Sequence, residues 1–143
     1  MASVALYTPE VLELATSLAN FRWDESLSFK GTARSRSCGS TLELGLSTDA
    51  QDRIDRLGLR SQACAIGQAA AAIFAKGATG RTPAEIRNAL AAMREWLAGE
   101  GPQPYCPGLN AITRARDYPA RHGAILLAWQ AADEALSSGD APS

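Results

Sequence analysis

The chain has 143 residues, a formal net charge of -1 and a pI near 5.8. That length supports one compact domain with a real core and no disulfides, and the charge argues against a polyanion-binding protein, since nucleic-acid domains carry a basic excess. Three cysteines, none in a CxxC pair, and a single histidine argue against a secreted disulfide framework and against a complete zinc finger.

Of the 28 alanines, 22 lie at or after Ala63, and the stretch from Phe29 to Arg60 holds only two. Alanine favours helices and is poor in strands, so a strand-rich segment is expected first and a helical half after it. Glu10 and Glu13 interrupt the N-terminal apolar pattern, so no signal peptide is expected. No stretch reaches the roughly 18 apolar residues of a membrane span. The expectation is one domain over residues 1–143, cytoplasmic, with flexible ends at 1–7 and 138–143.

In chain order, Thr8-Pro9-Glu10 is a helix start, with a capping residue, a first-turn proline and an acid. Val11, Leu14, Ala15 and Leu18 give that helix one apolar face to about Asn20. Phe21 to Leu27 reads as a connector anchored by Phe21 and Trp23. Phe29 to Ser37 reads as a strand. Leu42, Leu44 and Leu46 then alternate on one face of a second strand. Ser47 to Gln51 reads as a hairpin turn, and Arg53 to Leu59 as a third strand, giving an antiparallel meander. A helix is predicted from Ala63 to about Lys76, punctuated by Gly77 and Gly80. Thr82-Pro-Ala-Glu85 is a capping box opening a helix with Ile86, Leu90, Met93 and Leu97 inside, ending near Gly99. A proline–glycine loop from Glu100 to Gly108 holds Tyr105 and Cys106. A short helix from Leu109 to Arg116 precedes a last helix from Pro119, with Ile125, Leu126, Trp129, Ala132 and Leu136 inside. The fold class is α+β: an N-terminal helix, a three-stranded antiparallel sheet, then helices packed on one face.

Three soft or borderline donors fall at element boundaries. Cys38 sits in Ser37-Cys-Gly-Ser40, where Gly39 permits a tight turn that exposes the thiol. Cys64 opens the alanine-rich helix, where free N–H groups favour a thiolate. His122 lies in the first turn of the last helix. Thiolates and imidazole suit zinc or iron. Against this stand plainer roles: a cysteine as a small buried hydrophobe, a solvated histidine, Cys106 as an incidental loop thiol. Arg34, Arg36, Arg53, Arg56 and Arg60 fit either a solvated sheet face or a docking surface for an acidic partner.

Gly31-x-Ala33, Cys38-Gly39, Ala63-Cys64-Ala65-Ile66 before an alanine-rich helix, and Gly80-Arg-Thr82, taken in order, resemble the U-type iron–sulfur cluster scaffold family, which includes IscU, SufU and the N-terminal domain of NifU. The resemblance spans about Leu6 to Leu136, and the last helix, with Leu127-Ala128-Trp129, looks like the family's C-terminal helix. It implies a carrier, not an enzyme. Such a carrier takes sulfur from a cysteine desulfurase, holds a transient [2Fe–2S] cluster and hands it to downstream assembly or recipient proteins.

Position by position, Cys38 matches the family's first cysteine and Cys64 its second. The family's aspartate falls on Ser40, and its third cysteine, counted back from Leu127-Ala128-Trp129, on Ala124. His122, two residues earlier, is the candidate substitute; Cys106 and Ser40 are additional candidates. A [2Fe–2S] cluster normally takes four protein ligands, and this set is short of that. The same resemblance therefore leaves open a zinc-binding adaptor that docks a desulfurase without building a cluster. A Cys–His thiol enzyme and a site-less interaction module are the remaining readings of the residues.

Overall fold

The computed structural model describes residues 6–37 and 39–139. Its first element, α1 (Pro9–Ser17), starts as the local signals require: the Thr8 hydroxyl accepts from the Val11 N–H at 3.2 Å, and proline occupies the first turn. A 3-10 turn over Leu18–Asn20 ends it. Leu6, within the end expected to be flexible, is buried in the core.

The sheet comprises β1 (Phe29–Arg34), β2 (Thr41–Thr48) and β3 (Ile54–Gln62), antiparallel and in sequence order. Gly31, Leu44 and Leu59 form one cross-strand row, and Ala33, Leu42 and Ser61 the next. Paired residues share a face, so the period-two leucines of β2 all point into the core, as expected.

The strand limits differ from the expectation for local reasons. β1 stops at Arg34, short of Ser37. There the Ser35 N–H donates to the Ser40 carbonyl and the Gly39 N–H to the Ser35 carbonyl, both at 2.8 Å, closing a turn. The second turn lies at 49–53 rather than 47–51, because the Asp49 carboxylate accepts the N–H groups of Gln51 and Arg53. β3 runs on to Gln62.

The connector crosses the outer face of the sheet. A Cβ on Gly58 would collide with the Arg22 carbonyl, and one on Gly45, its cross-strand partner, would meet Leu27 at 3.3 Å. Glycine at both positions lets the strap lie flat, with Leu27 buried beneath it. Trp23 sits on the same face, with the Arg60 guanidinium 4.3 Å from its ring centroid. The arginines expected to be solvated are all exposed, and three are ion-paired: Arg60 with Glu43, Arg56 with Asp24 and Arg53 with Glu85.

The helical half contains α2 (Ala65–Ala78), α3 (Pro83–Leu97), a 3-10 segment (Leu109–Asp117) and α4 (Pro119–Gly139). The predicted short helix at 109–116 is thus of the tighter 3-10 type. α2 starts at Ala65 rather than Ala63, with Cys64 as its capping residue. It is buried almost all round, packed against α1 and α4. A helix enclosed on all sides needs small apolar residues on every face, and its alanines supply them. α4 lies across β1 and β2. A Cβ on Gly31 would collide with the Ala131 carbonyl, so glycine sets this close helix–sheet approach. No described helix is long and apolar enough to cross a membrane.

Candidate functional site

Three segments meet at the end of the sheet where β1 leaves for β2. The Ser35–Ser40 turn rests on the start of α4. The Ser37 hydroxyl donates to the Ala120 carbonyl at 3.0 Å, and a Cβ on Gly123 would stand 2.5 Å from the Ser35 hydroxyl oxygen. Gly39, at φ +72, supplies the left-handed step of that turn, as its sequence position implied. Cys38 itself lies outside the described residues. Ser40 is buried, its carbonyl held by the turn.

The start of α2 meets the start of α4 directly. A Cβ on Gly67 would lie 3.0 Å from the Ala63 methyl and 3.3 Å from the Ala124 methyl. The position assigned to the family's third cysteine is therefore beside the helix start that carries Cys64. Cys64 is half-buried and caps α2 with an extended backbone, and its thiol makes no capping hydrogen bond. The Gln68 side chain instead donates to the Ala63 carbonyl at 2.8 Å, pinning the approach to the helix. One core-facing hydroxyl in the row just inside this end, Ser61 Oγ, is buried without a hydrogen-bond partner.

His122 is turned another way. Its Nε2 stands 2.6 Å from the Arg116 carbonyl in the 3-10 segment. A carbonyl only accepts, so Nε2 carries the proton and Nδ1 is the ring atom left to bind a metal. At 3.6 residues per turn, His122 and Ala124 project about 200° apart around α4. The two therefore do not occupy equivalent places. A neighbouring contact ties the N-terminal segment to this region: the Arg121 guanidinium donates to the Tyr7 hydroxyl at 3.2 Å.

Cys106 is at the opposite end of α2. It lines a cleft with Phe74, Ala78 and Arg81. Phe74 alone is ten residues beyond Cys64, about 15 Å along a helix axis. Burial pushes the Cys106 thiol up, and the charge of Arg81 only partly opposes this. Among the described residues no three His, Cys, Asp or Glu side chains form a metal-binding group. The structure thus brings together Cys64, Ala124 and the turn that flanks Cys38, and leaves Cys106 apart.

Reading the sequence did not reveal the serine and glycine contacts that seat the turn on α4. The small residues at 35, 37, 67 and 123 were the available signal, since only small side chains allow three chain segments to approach so closely.

No family model and no curated protein matches the chain. Solved structures do. A nitrogen-fixing NifU-like protein (N-terminal) from Brucella abortus is 27% identical with a TM-score of 0.87, over 99% of this chain and 100% of that one. FiSufU, the proposed iron–sulfur cluster assembly scaffold for the SUF system of Fervidobacterium islandicum, has the same fold. It is 22% identical with a TM-score of 0.81, over 92% of this chain and 96% of its own. Motif order, strand order and whole-length fold agree, and the chain is similar along its whole length to a NifU-like N-terminal domain, with the fold that FiSufU also has.

Proposed function

We propose that the chain is an iron–sulfur assembly scaffold or sulfur acceptor that carries its cargo on Cys38 and Cys64, with His122, which projects from a different side of α4 than Ala124, as the remaining candidate donor, and that it acts as a carrier rather than an enzyme. The observation supporting this most directly is that the start of α4 meets both the Ser35–Ser40 turn and the start of α2. That meeting occurs in a fold shared along its whole length with a NifU-like domain. Cys64 contributes a thiol free of capping duty at the start of α2. His122 has its Nε2–H fixed on a backbone carbonyl, the usual support for an imidazole that binds metal through its other nitrogen. Cys38 is assigned by its place between Ser37 and Gly39. Ser40 is a further oxygen donor by position. Cys106, at the far end of α2, is not in the donor set.

The cargo follows from donor number. A [2Fe–2S] cluster takes four protein ligands, and Ala124 removes one of them. A persulfide needs a single thiolate. In that transfer, the Cys64 thiolate attacks the outer sulfur of a desulfurase persulfide. The donor's S–S bond breaks, its cysteine leaves as a thiolate, and the new S–S bond stays on Cys64. The partner implied is a cysteine desulfurase, followed by the assembly or recipient protein that takes the sulfur or cluster onward.

The methyl of Ala124 also favours a second reading, a zinc-binding adaptor that docks a desulfurase and builds no cluster. Three protein donors and a water make an open zinc site. Anaerobic incubation with iron, cysteine and a desulfurase separates the two. The scaffold reading predicts a visible absorption band or a mass gain of one sulfur, lost in Cys64→Ser and weakened in His122→Ala. Stoichiometric zinc with neither band nor added sulfur supports the adaptor. No metal, band or sulfur overturns both.

A further inference from the structure

Charge is spread unevenly over the molecule. Of the fourteen lysines and arginines, six form ion pairs among the described residues: Lys30, Arg53, Arg56, Arg60, Arg81 and Arg87. The segments around the candidate site differ. Residues 34–41 and 114–123 hold five arginines and one acid, Asp117, a formal +4 against -1 for the whole chain. None of these five arginines is among the ion-paired six.

Two of them stand beside the sulfur site and are exposed: Arg34 ends β1, and Arg36 lies in the Ser35–Ser40 turn. Ala33 shares the core-facing row of Leu42, so Arg34, one residue on, points to the outer side of the sheet. The Ser37 hydroxyl meets the Ala120 carbonyl at 3.0 Å, which sets the Arg36–Ser37 backbone against the step from Ala120 to Arg121. Arg121 donates to the Tyr7 hydroxyl at 3.2 Å, and Arg116 to the Trp96 carbonyl at 2.8 Å. Both partners are neutral, so neither cancels a charge. On the outer face of the sheet, by contrast, Arg56 and Arg60 are held by Asp24 and Glu43.

We propose that this end of the molecule is a basic docking face, with Arg34 and Arg36 as its exposed contacts, for an acidic surface on the protein that delivers sulfur. The proposal rests on the sulfur-acceptor reading of Cys64 and names the chemistry of that partner. The acidic surface follows from the charge: unpaired guanidiniums bind carboxylates through charge-assisted hydrogen bonds and steer the encounter before contact. A protein is favoured over a nucleic acid because the chain as a whole is negative, so an extended polyanion is repelled beyond the patch. The sulfur donor is favoured because its persulfide must reach Cys64. The helix start that carries Cys64 meets the start of α4, and that start also seats the turn bearing Arg36. A donor seated there covers both arginines.

The test is the rate at which sulfur reaches Cys64 in the intact chain, read by mass spectrometry at low and high salt. The cysteine desulfurase of the same cell, supplied with cysteine, is one donor. Cysteine persulfide, which has no protein surface, is the other: the Cys64 thiolate takes its outer sulfur, and cysteine leaves as a thiolate. With the desulfurase, raising the ionic strength from about 0.05 to about 0.5 M slows transfer roughly tenfold. Arg34→Glu/Arg36→Glu slows it about tenfold at low salt and removes most of that salt dependence. The same variant takes sulfur from cysteine persulfide at the unaltered rate, which also shows that it is folded. Arg36→Glu alone gives a smaller loss, and Lys76→Glu, a matched reversal at an exposed, unpaired cation in the last turn of α2, gives none. The proposal is overturned if the arginine variants leave the desulfurase rate unchanged, if Lys76→Glu slows it as much as Arg36→Glu, or if cysteine persulfide is slowed equally. Sulfur on Cys64 from cysteine persulfide but not from the desulfurase overturns it and leaves Cys64 standing as an acceptor. Sulfur from neither donor overturns the acceptor reading as well.

Discussion

The two ends of α2 each place a cysteine beside another element, and their surroundings differ in kind. At the N-terminal end, Cys64 stands among the smallest side chains of the protein: Ala63, Gly67, Gly123, Ala124 and the serines of the turn. Three chain segments close in there, and the thiol is left over. At the C-terminal end, Cys106 stands among large rings and an arginine, with an open cleft in front of it. Small residues bring backbones together and gather donors. Large ones hold elements apart and leave a cavity. Two cysteines, one capping α2 and one in the loop beside its far end, thus acquire different surroundings from the volumes of their neighbours.

The strongest way to break this contrast is to remove a ring. Trp129→Ala should destabilise the fold by about 3–5 kcal/mol, the usual cost of emptying a buried aromatic site. Chemical denaturation measures that loss. In the folded fraction Cys106 labelling should accelerate while Cys64 labelling holds. Equal acceleration at both would mean that the two ends are not separable.

The contrast is sharpened by restoring the missing sulfur. Ala124→Cys places a thiol beside Cys64, where Gly67 leaves room for it. Zinc affinity, measured by competition with a chelating dye, should rise at least about tenfold, as expected when a ligand is added to an incomplete site. The equivalent change at the other end, Tyr105→Cys, should leave it unaltered.

Smaller effects belong to the wall of the cleft. The predicted capping box is present: the Thr82 hydroxyl accepts from the Glu85 N–H and the Glu85 carboxylate from the Thr82 N–H. Thr82→Ala should cost about 1 kcal/mol by thermal or chemical unfolding. The same box gives the cleft end a weak pH dependence. The Thr82 N–H and hydroxyl, with Arg81 and Arg53, hold the Glu85 carboxyl below its usual 4.5 against a burial penalty. A folded pKa below the unfolded one stabilises above the ordinary carboxylate range, and that stability is lost as pH falls through the folded value. Hydrogen-exchange protection in the first turn of α3, corrected for the intrinsic rate at each pH, should therefore fall as the pH drops below the usual 4.5, with no matching change at the start of α2.

The elements themselves were legible wherever their signals are local. Leu42, Leu44 and Leu46 face one way because the strand period is two, and Thr82-Pro-Ala-Glu85 opens a helix because all four residues act within one turn. Counting back from Leu127-Ala128-Trp129 reached Ala124, which does sit beside the Cys64 helix start. What was not legible depends on distant neighbours. Nothing local shows that Gly45 and Gly58 are small because residues 21–28 lie over them. The direction of His122 is set by a carbonyl in the 3-10 segment, whose helix type the sequence also hid. Cys106 read as a stray loop thiol because its cleft exists only once α2, α3 and the loop are packed.

The most direct test of the account is where sulfur goes. The intact chain is incubated anaerobically with cysteine and a cysteine desulfurase, then digested and mapped by mass spectrometry. The account predicts added sulfur on Cys64 and none on Cys106. Sulfur on Cys106, or on no cysteine at all, would contradict it.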